Sequence, residues 1–447
     1  MNSITSSDAG ATLSSATNLS LRGGVAEVDI TPPVGLPMWG YAARSAPSRG
    51  ILDALFARVL VLEVGEQRLA LVTLDLGRPF GPASLESLRA AVKKSSSISN
   101  ILVATSHTHA GPVVQDEYPG GDTPPWETAA LAKIAQAVSE AHRHSLPVRI
   151  GTGRGIISIG YNRRRANPDG TITWLDRNPT RIPTAPVDPV VSVLRVDTRE
   201  GLPLAILVNY ACHPVTFGPD NLEFSADFPG VVMKTVREAF ASKPMCFFLQ
   251  GAAGDINPFY AVTPLEQDAV KMRDWEGEQL GKEAVRVARA IQPREDTQAS
   301  LQFAEDLVPF HLRWDAEEWR RSTVSAYGQA FADSFLPRTR PEWQLPVVTL
   351  LINRRIALVG IPGEPFVEFQ INWRDRCPVR ETFFLAYAGG YYGYFPTLQA
   401  ATEGGYGATS PTTWIEVGAG EHMVNHALAR TYEMLGRLRN VPDITSW

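Results

Sequence analysis

His107-Thr108-His109 follows the apolar run Ile101-Leu102-Val103-Ala104 and precedes Gly111-Pro112. Two histidines two residues apart at a strand end project from one face, and neutral imidazole is the commonest metal ligand. The spacing equally suits imidazoles that only hydrogen-bond in a loop. His213 repeats the arrangement, standing after the apolar run 203–210 with a proline behind it. Glu364 stands in Gly363-Glu364-Pro365 after the run 355–359. Asp255 stands in Gly254-Asp255-Ile256-Asn257 after 245–250, and Tyr391 in a glycine-rich turn after 383–387. Asp75 likewise closes an apolar run, where a carboxylate either faces a site or caps a turn. Strand ends gather the chemistry in open α/β sheets. Two or three histidines with one carboxylate make a catalytic zinc set that leaves a position open.

The elements that must position these residues follow from hydrophobic period and punctuation. Strands are expected at 24–30, 57–64, 68–75, 101–104, 148–159, 188–196, 203–210, 245–250, 345–351, 355–359 and 383–387. Helices are expected at 84–94, 125–144, 225–240, 268–291 and 420–438. Strand, helix, strand over 68–104 predicts a parallel crossover unit. Residues 314–343, charged and aromatic, break the rhythm and predict a helical insertion near the pocket. His142 and His144 fall in a polar last helical turn, where imidazolium suits the helix dipole.

The chain has 447 residues, 44% of them apolar and 20% charged, with a net charge of -5. That is ample for a large core, and the charge disfavours nucleic acid or an anionic membrane as partner. No apolar stretch of about 18 residues predicts a membrane span. The three cysteines, Cys212, Cys246 and Cys377, are widely spaced and suggest no disulfide framework, hence a reducing compartment. Residues 1–22, rich in Ser and Thr without a basic start or an apolar core, are expected to be a disordered tail rather than a secretory signal. A cytoplasmic location follows as the expectation. A homo-oligomer is allowed by the sequence and not indicated by it.

Several stretches together resemble the catalytic domain of neutral (non-lysosomal) ceramidases, zinc-dependent amidases. They are residues 24–35 with Met38-Trp39-Gly40-Tyr41-Ala42, His107-Thr108-His109-Ala110-Gly111-Pro112, Asn162-Arg163, Gly254-Asp255-Ile256-Asn257-Pro258, Pro362-Gly363-Glu364 and the Tyr391/Tyr394 segment. The resemblance implies one large α/β catalytic domain over 23–447, with mixed sheets flanked by helices in an α/β/β/α-like layering. It implies Zn2+ held by His107, His213 and Glu364, with Tyr391 beside the metal and Tyr394 as the alternative if the register shifts. His109 and Arg163 would contact the scissile amide, and Tyr406, Tyr394 and Asn257 would bind substrate. His109 or Asp255 would move the proton to the leaving amine.

Two departures qualify it. Ceramidases carry a serine, discussed as a nucleophile, where this chain has Asn257, and an amide side chain cannot serve as that nucleophile. About 40 residues follow Tyr406, too few for an immunoglobulin-like sandwich of ~100 residues, so none is expected. The implied activity is hydrolysis of an acyl-amide bond in a small-molecule substrate. An esterase or lactonase on the same site, and a non-catalytic binding protein keeping the fold, remain open.

Overall fold

The computed structural model describes residues 19–115 and 123–438. The tail expected over 1–22 lies outside them as far as residue 18. Its last residues belong to the fold: Leu21 is buried and Arg22 opens the first strand.

Twelve strands build two facing sheets. The first eight are β1 (Arg22–Asp29), β2 (Phe56–Val64), β3 (Gln67–Leu74), β4 (Asn100–Thr105), β5 (Leu146–Ile156), β6 (Val190–Thr198), β7 (Pro203–Tyr210) and β8 (Met245–Gln250). They form one sheet in the order β8-β7-β6-β5-β1-β2-β3-β4. The last four are β9 (Leu301–His311), β10 (Glu342–Ile352), β11 (Ile356–Gly360) and β12 (Glu381–Leu385), paired in that order. The pairs β3–β4, β7–β8 and β11–β12 are parallel. The β3–β4 pair closes around α1 (Pro82–Ser96), as the crossover pattern predicts.

Burial explains the strand sequences. β2 is buried from Ala57 to Val64 with no polar alternation, because one face meets helices and the other meets the second sheet. Leu60, Leu71, Leu102 and Leu207 of the first sheet pack against Leu350, Leu358 and Phe383 of the second. Each such side chain contributes roughly 1.5–3 kcal/mol when fully buried. Outside the first sheet lie α1 and α2 (Pro125–Arg143) over one half, and α3 (Asp227–Glu238) and α4 (Ala269–Ala290) over the other. The second sheet is covered by α7 (Val367–Arg376) and the helix Ala419–Met434. The layering is α/β/β/α, as expected.

Within residues 314–343 lie α5 (Ala316–Tyr327) and α6 (Gln329–Phe335), split at Gly328 with φ +85°, while Glu342 and Trp343 already belong to β10. β12 ties the two sheets together at their carboxyl ends. Phe384 exchanges hydrogen bonds with the Asn209 amide of β7, and Gly389 N donates to Val103 O of β4 at 2.8 Å. The carboxyl ends of β4, β7, β11 and β12 therefore meet.

Candidate metal centre at the strand ends

His107 stands two residues beyond β4, His213 three beyond β7, Glu364 four beyond β11, and Tyr387 two beyond β12. Their side chains converge. Nε2 of His213 lies 3.0 Å and Nε2 of His107 3.3 Å from Oε2 of Glu364. Nε2 of His109 lies 3.4 Å from Nε2 of His107. Ligand atoms of His107, His109 and His213 all fall within 4.8 Å of one another. The Tyr391 hydroxyl donates to Oε1 of Glu364 at 2.5 Å, and that of Tyr387 reaches Oε2 at 3.5 Å.

The other ring nitrogens fix the tautomers. Nδ1 of His107 donates to Gly77 O at 2.5 Å, and Nδ1 of His213 donates to Ala253 O. A carbonyl only accepts, so these nitrogens carry the protons. Burial, then the Arg163 charge, hold His213 down at about 3, so at neutral pH its Nε2 is a bare lone pair. Burial alone would raise the Glu364 carboxyl; the His107 and His213 imidazoles outweigh it and hold the group well below the carboxylate range. Nε2 of His213 and Oε2 of Glu364 thus stand in direct polar contact at 3.0 Å. A proton or a metal cation between the two atoms satisfies both, and two imidazole nitrogens with one carboxylate oxygen form a donor set that fits zinc.

Backbone shape supports this convergence. His107 has φ +66° and Tyr387 φ +53°, left-handed conformations costing on the order of 1–2 kcal/mol each outside glycine. Their rings stack at 3.8 Å. Trp39 lies edge-on to His107 and His109 at 5.0 and 4.8 Å, held by a Trp39 N–H to Gly111 O bond of 2.9 Å. Gly77 is required there, since a Cβ would meet the Trp39 ring at 2.1 Å. A cleft of about 550 Å³ opens over this floor, walled by Trp39 and Tyr41 on one side and by Tyr327, Phe331 and Phe335 of α5–α6 on the other.

His109 differs from its neighbours. Enclosure in the cleft, then the imidazoles His107 and His213, hold it well below the usual histidine range. Its Nδ1 has no hydrogen-bond partner among the described residues.

Arg163 forms a second cluster beside the first. Nη2 donates to Tyr394 Oη at 3.0 Å and to Gly254 O at 2.6 Å, and Nη1 to Asn257 Oδ1 at 3.1 Å. Rings of Trp174, Tyr406 and Tyr394 surround its guanidinium at 4.4, 5.6 and 5.7 Å. Of the two candidate tyrosines, Tyr391 therefore reaches Glu364, while Tyr394 serves Arg163. Tyr406 lines the cleft at its mouth, and Asn257 lies buried behind Arg163.

Asp255 is placed differently from its expected proton-transfer role. Oδ1 accepts from Val367 N at 2.8 Å, Oδ2 accepts from Asn162 Nδ2 at 2.7 Å, and its carbonyl accepts Arg163 N at 2.8 Å. Neither Asp255 nor Arg163 is among the residues lining the cleft. Asp255 positions Arg163 and the start of α7; both its oxygens are already committed. Asp75 likewise is structural, paired with Arg58 at 2.9 Å.

Sequence reasoning missed Tyr387 and Trp174. Tyr387 carried the strand-end signal, two residues before Gly389-Gly390, but was read as the last residue of its strand. Nothing local marks Trp174.

Imidazoles and a carboxylate gathered at parallel strand ends, on a two-sheet α/β/β/α scaffold, define an α/β protein with a candidate metal centre. Residues 22–303 match the family description "Neutral/alkaline non-lysosomal ceramidase, N-terminal", and the chain belongs to that family. It is 26% identical over 247 residues to the neutral ceramidase of Mycobacterium tuberculosis H37Rv, covering 49% of this chain and 37% of that protein. It is 25% identical over 264 residues to the neutral ceramidase of Pseudomonas aeruginosa PAO1, covering 56% and 38%. The matched stretches thus span less than two-fifths of either relative. Two solved structures share the fold over 96% of this chain. One, described as a ceramidase complexed with C2, has a TM-score of 0.75 at 18% identity and is covered over 78% of its length. The other, neutral ceramidase from Pseudomonas aeruginosa, has a TM-score of 0.73 at 19% identity and is covered over 77%.

Proposed function

We propose that this chain is a zinc-dependent hydrolase that cleaves the amide (N-acyl) bond of a small-molecule substrate. The observation that carries the proposal is the convergence of His213 Nε2 at 3.0 Å and His107 Nε2 at 3.3 Å on the same carboxylate oxygen, Oε2 of Glu364. His107, His213 and Glu364 would hold the ion, with the Tyr391 hydroxyl beside them. Zinc bound there would lower the pKa of its water from ~15.7 towards ~7 and so supply hydroxide at neutral pH.

The chain's own residues fill the remaining roles. Arg163, ringed by Trp174, Tyr394 and Tyr406, would stabilise the substrate carbonyl oxygen as it gains charge. Tyr391 and Tyr394 offer hydroxyls on the same floor. His109, neutral and with Nδ1 unspent, is the group placed to carry a proton to the leaving amine. Asn257 cannot form an acyl intermediate, which leaves water as the nucleophile; it fixes Arg163. The walls of the cleft are aromatic, which suits an apolar acyl group.

None of the helices among the described residues is long and apolar enough to cross a membrane. Three free cysteines support our placing of the protein in the cytoplasm.

The test is turnover of paired amide and ester analogues of one acyl chain, with and without a zinc chelator. Amide cleavage abolished by the chelator and restored by zinc is expected. Cleavage of the ester alone would replace the amidase reading with an esterase. Bound zinc without turnover of either would make the protein a binding module.

A further inference from the structure

Nine Phe, Tyr and Trp rings line the cleft over the candidate metal centre, and among the described residues no leucine or isoleucine does. Five of these rings run as one chain from wall to wall. Phe331 and Phe335 of α6 stack at 5.4 Å, and Phe335 lies 4.8 Å from Trp414. Trp414 stands edge-on to Tyr391 at 5.8 Å, and Tyr391 edge-on to Trp39 at 6.1 Å. A space bounded in this way presents ring faces and ring edges in several directions. A well-placed aromatic pair contributes about 0.5–1.5 kcal/mol beyond the area it buries, an interaction that a methylene chain does not make.

Most hydroxyls of the serines and threonines on the lining are occupied. Thr409 Oγ1 donates to Gly405 O at 3.0 Å, Thr412 Oγ1 donates to Thr409 O at 2.8 Å, and the Ser410 hydroxyl pairs with that of Ser322. Thr323 of α5 differs. It is 1% exposed and lines the cleft, and its Oγ1 has no hydrogen-bond partner among the described residues. A buried hydroxyl left unmatched costs about 1–3 kcal/mol, and a site with such a group favours the ligand that supplies the partner.

The two walls divide the substrate between them. His109, which would protonate the leaving amine, lies edge-on to Trp39 and Tyr41 at 4.8 and 5.1 Å, so the amine belongs on that side. The facing wall, with Thr323, Phe331 and Phe335, is left for the acyl arm.

We infer that the acyl arm is an aromatic ring carrying a hydroxyl that hydrogen-bonds Thr323, so that the substrate is an N-arylacyl amide rather than the amide of a straight aliphatic acid. The reaction in this inference rests on the amidase reading; the ring and its hydroxyl rest on the cleft alone.

The binding arm uses ketones, which have no amide bond to cleave, and follows their binding to the purified protein by calorimetry. Benzylacetone, its para-hydroxyl derivative and methyl octyl ketone are matched in carbon number. The para-hydroxyl derivative is expected to bind about tenfold tighter than benzylacetone, about 1.4 kcal/mol. Benzylacetone should bind at least as tightly as methyl octyl ketone, although the alkyl chain is the more hydrophobic. Thr323→Val, which puts a methyl in place of the hydroxyl, should narrow the hydroxyl gap to about threefold or less, and Thr323→Ser should keep it. Tightest binding by methyl octyl ketone, a hydroxyl gap that is absent or survives Thr323→Val, or one that Thr323→Ser also abolishes, overturns the inference whether or not the protein is an amidase.

The turnover arm compares kcat/KM for the ethanolamine amides of para-hydroxyphenylpropanoic, phenylpropanoic and nonanoic acids. The same order is expected, with the hydroxylated amide first. Selective ketone binding with the nonanoyl amide as the best substrate overturns the assignment of the ring to the acyl arm. Selective ketone binding with no turnover of any of the three amides upholds the ring site and strikes the amidase reading instead.

Discussion

Asp255→Asn keeps the shape of a buried side chain and removes one acceptor. Oδ1 accepts Val367 N at 2.8 Å and Oδ2 accepts Asn162 Nδ2 at 2.7 Å. An asparagine offers one oxygen, so its amide nitrogen must face one of these donors. Asn162 cannot turn to answer it, because its Nδ2 also donates to Pro186 O at 2.9 Å and its Oδ1 accepts Arg164 N at 2.9 Å. One buried hydrogen bond is lost, about 1–3 kcal/mol.

Charge works the other way. Burial raises the Asp255 carboxyl from 3.8 to about 6, against the hydrogen bonds from Val367 and Asn162. The native state then holds the proton more tightly than the unfolded chain. Between those two values stability falls as pH rises, by roughly 3 kcal/mol in all. The asparagine variant lacks this slope. Urea unfolding from pH 4 to pH 7 should therefore show a variant that is less stable at the acid end, with a gap that narrows as pH rises. Its kcat, measured on fully folded protein, should fall less than tenfold. A kcat loss of about 10²–10⁴ with stability unchanged would make Asp255 the proton carrier and refute the positioning role. A gap independent of pH would refute the burial argument.

Three further substitutions test other parts of the account. Gly77→Ala puts a Cβ 2.1 Å from the Trp39 ring and displaces the carbonyl that orients His107; a chelator competition should show metal affinity about 10–100-fold weaker. His109→Ala should lower turnover about 10²–10⁴-fold with metal content equal to the parent, and metal loss would make His109 a ligand instead. Burial pushes Glu276 from 4.5 up to about 8, although Thr216 Oγ1 and Tyr260 N hydrogen-bond to it. Its contribution to stability thus falls as pH rises from 4.5 to about 8. Glu276→Gln should resemble the parent near pH 5 and be the more stable protein at pH 9, as urea midpoints would show.

The residues that meet at the centre were legible because each follows an apolar strand and precedes Gly or Pro. His107, His213 and Glu364 all carry that mark. What the sequence hid is conformational or non-local. The positive φ at His107 and Tyr387 leaves no trace in residue type, so Tyr387 passed for the end of a strand. β9 escaped notice because Glu305, Asp306 and Pro309 interrupt its apolar residues. It is a strand because β10 pairs with it along its whole length. The committed oxygens of Asp255 depend on Val367, 112 residues away, and no local pattern anticipates such a partner. The break in strand rhythm after Trp314 was visible, but the contribution of Tyr327, Phe331 and Phe335 to the cleft wall emerged only with the fold.

Zinc content per chain, measured by elemental analysis on purified protein beside His213→Ala, tests the central claim most directly. The account predicts one zinc per folded chain in the parent and loss of that zinc from the variant, with the fold retained. A zinc-free parent that cleaves its amide substrate at full rate, or a variant that keeps its zinc, would contradict it.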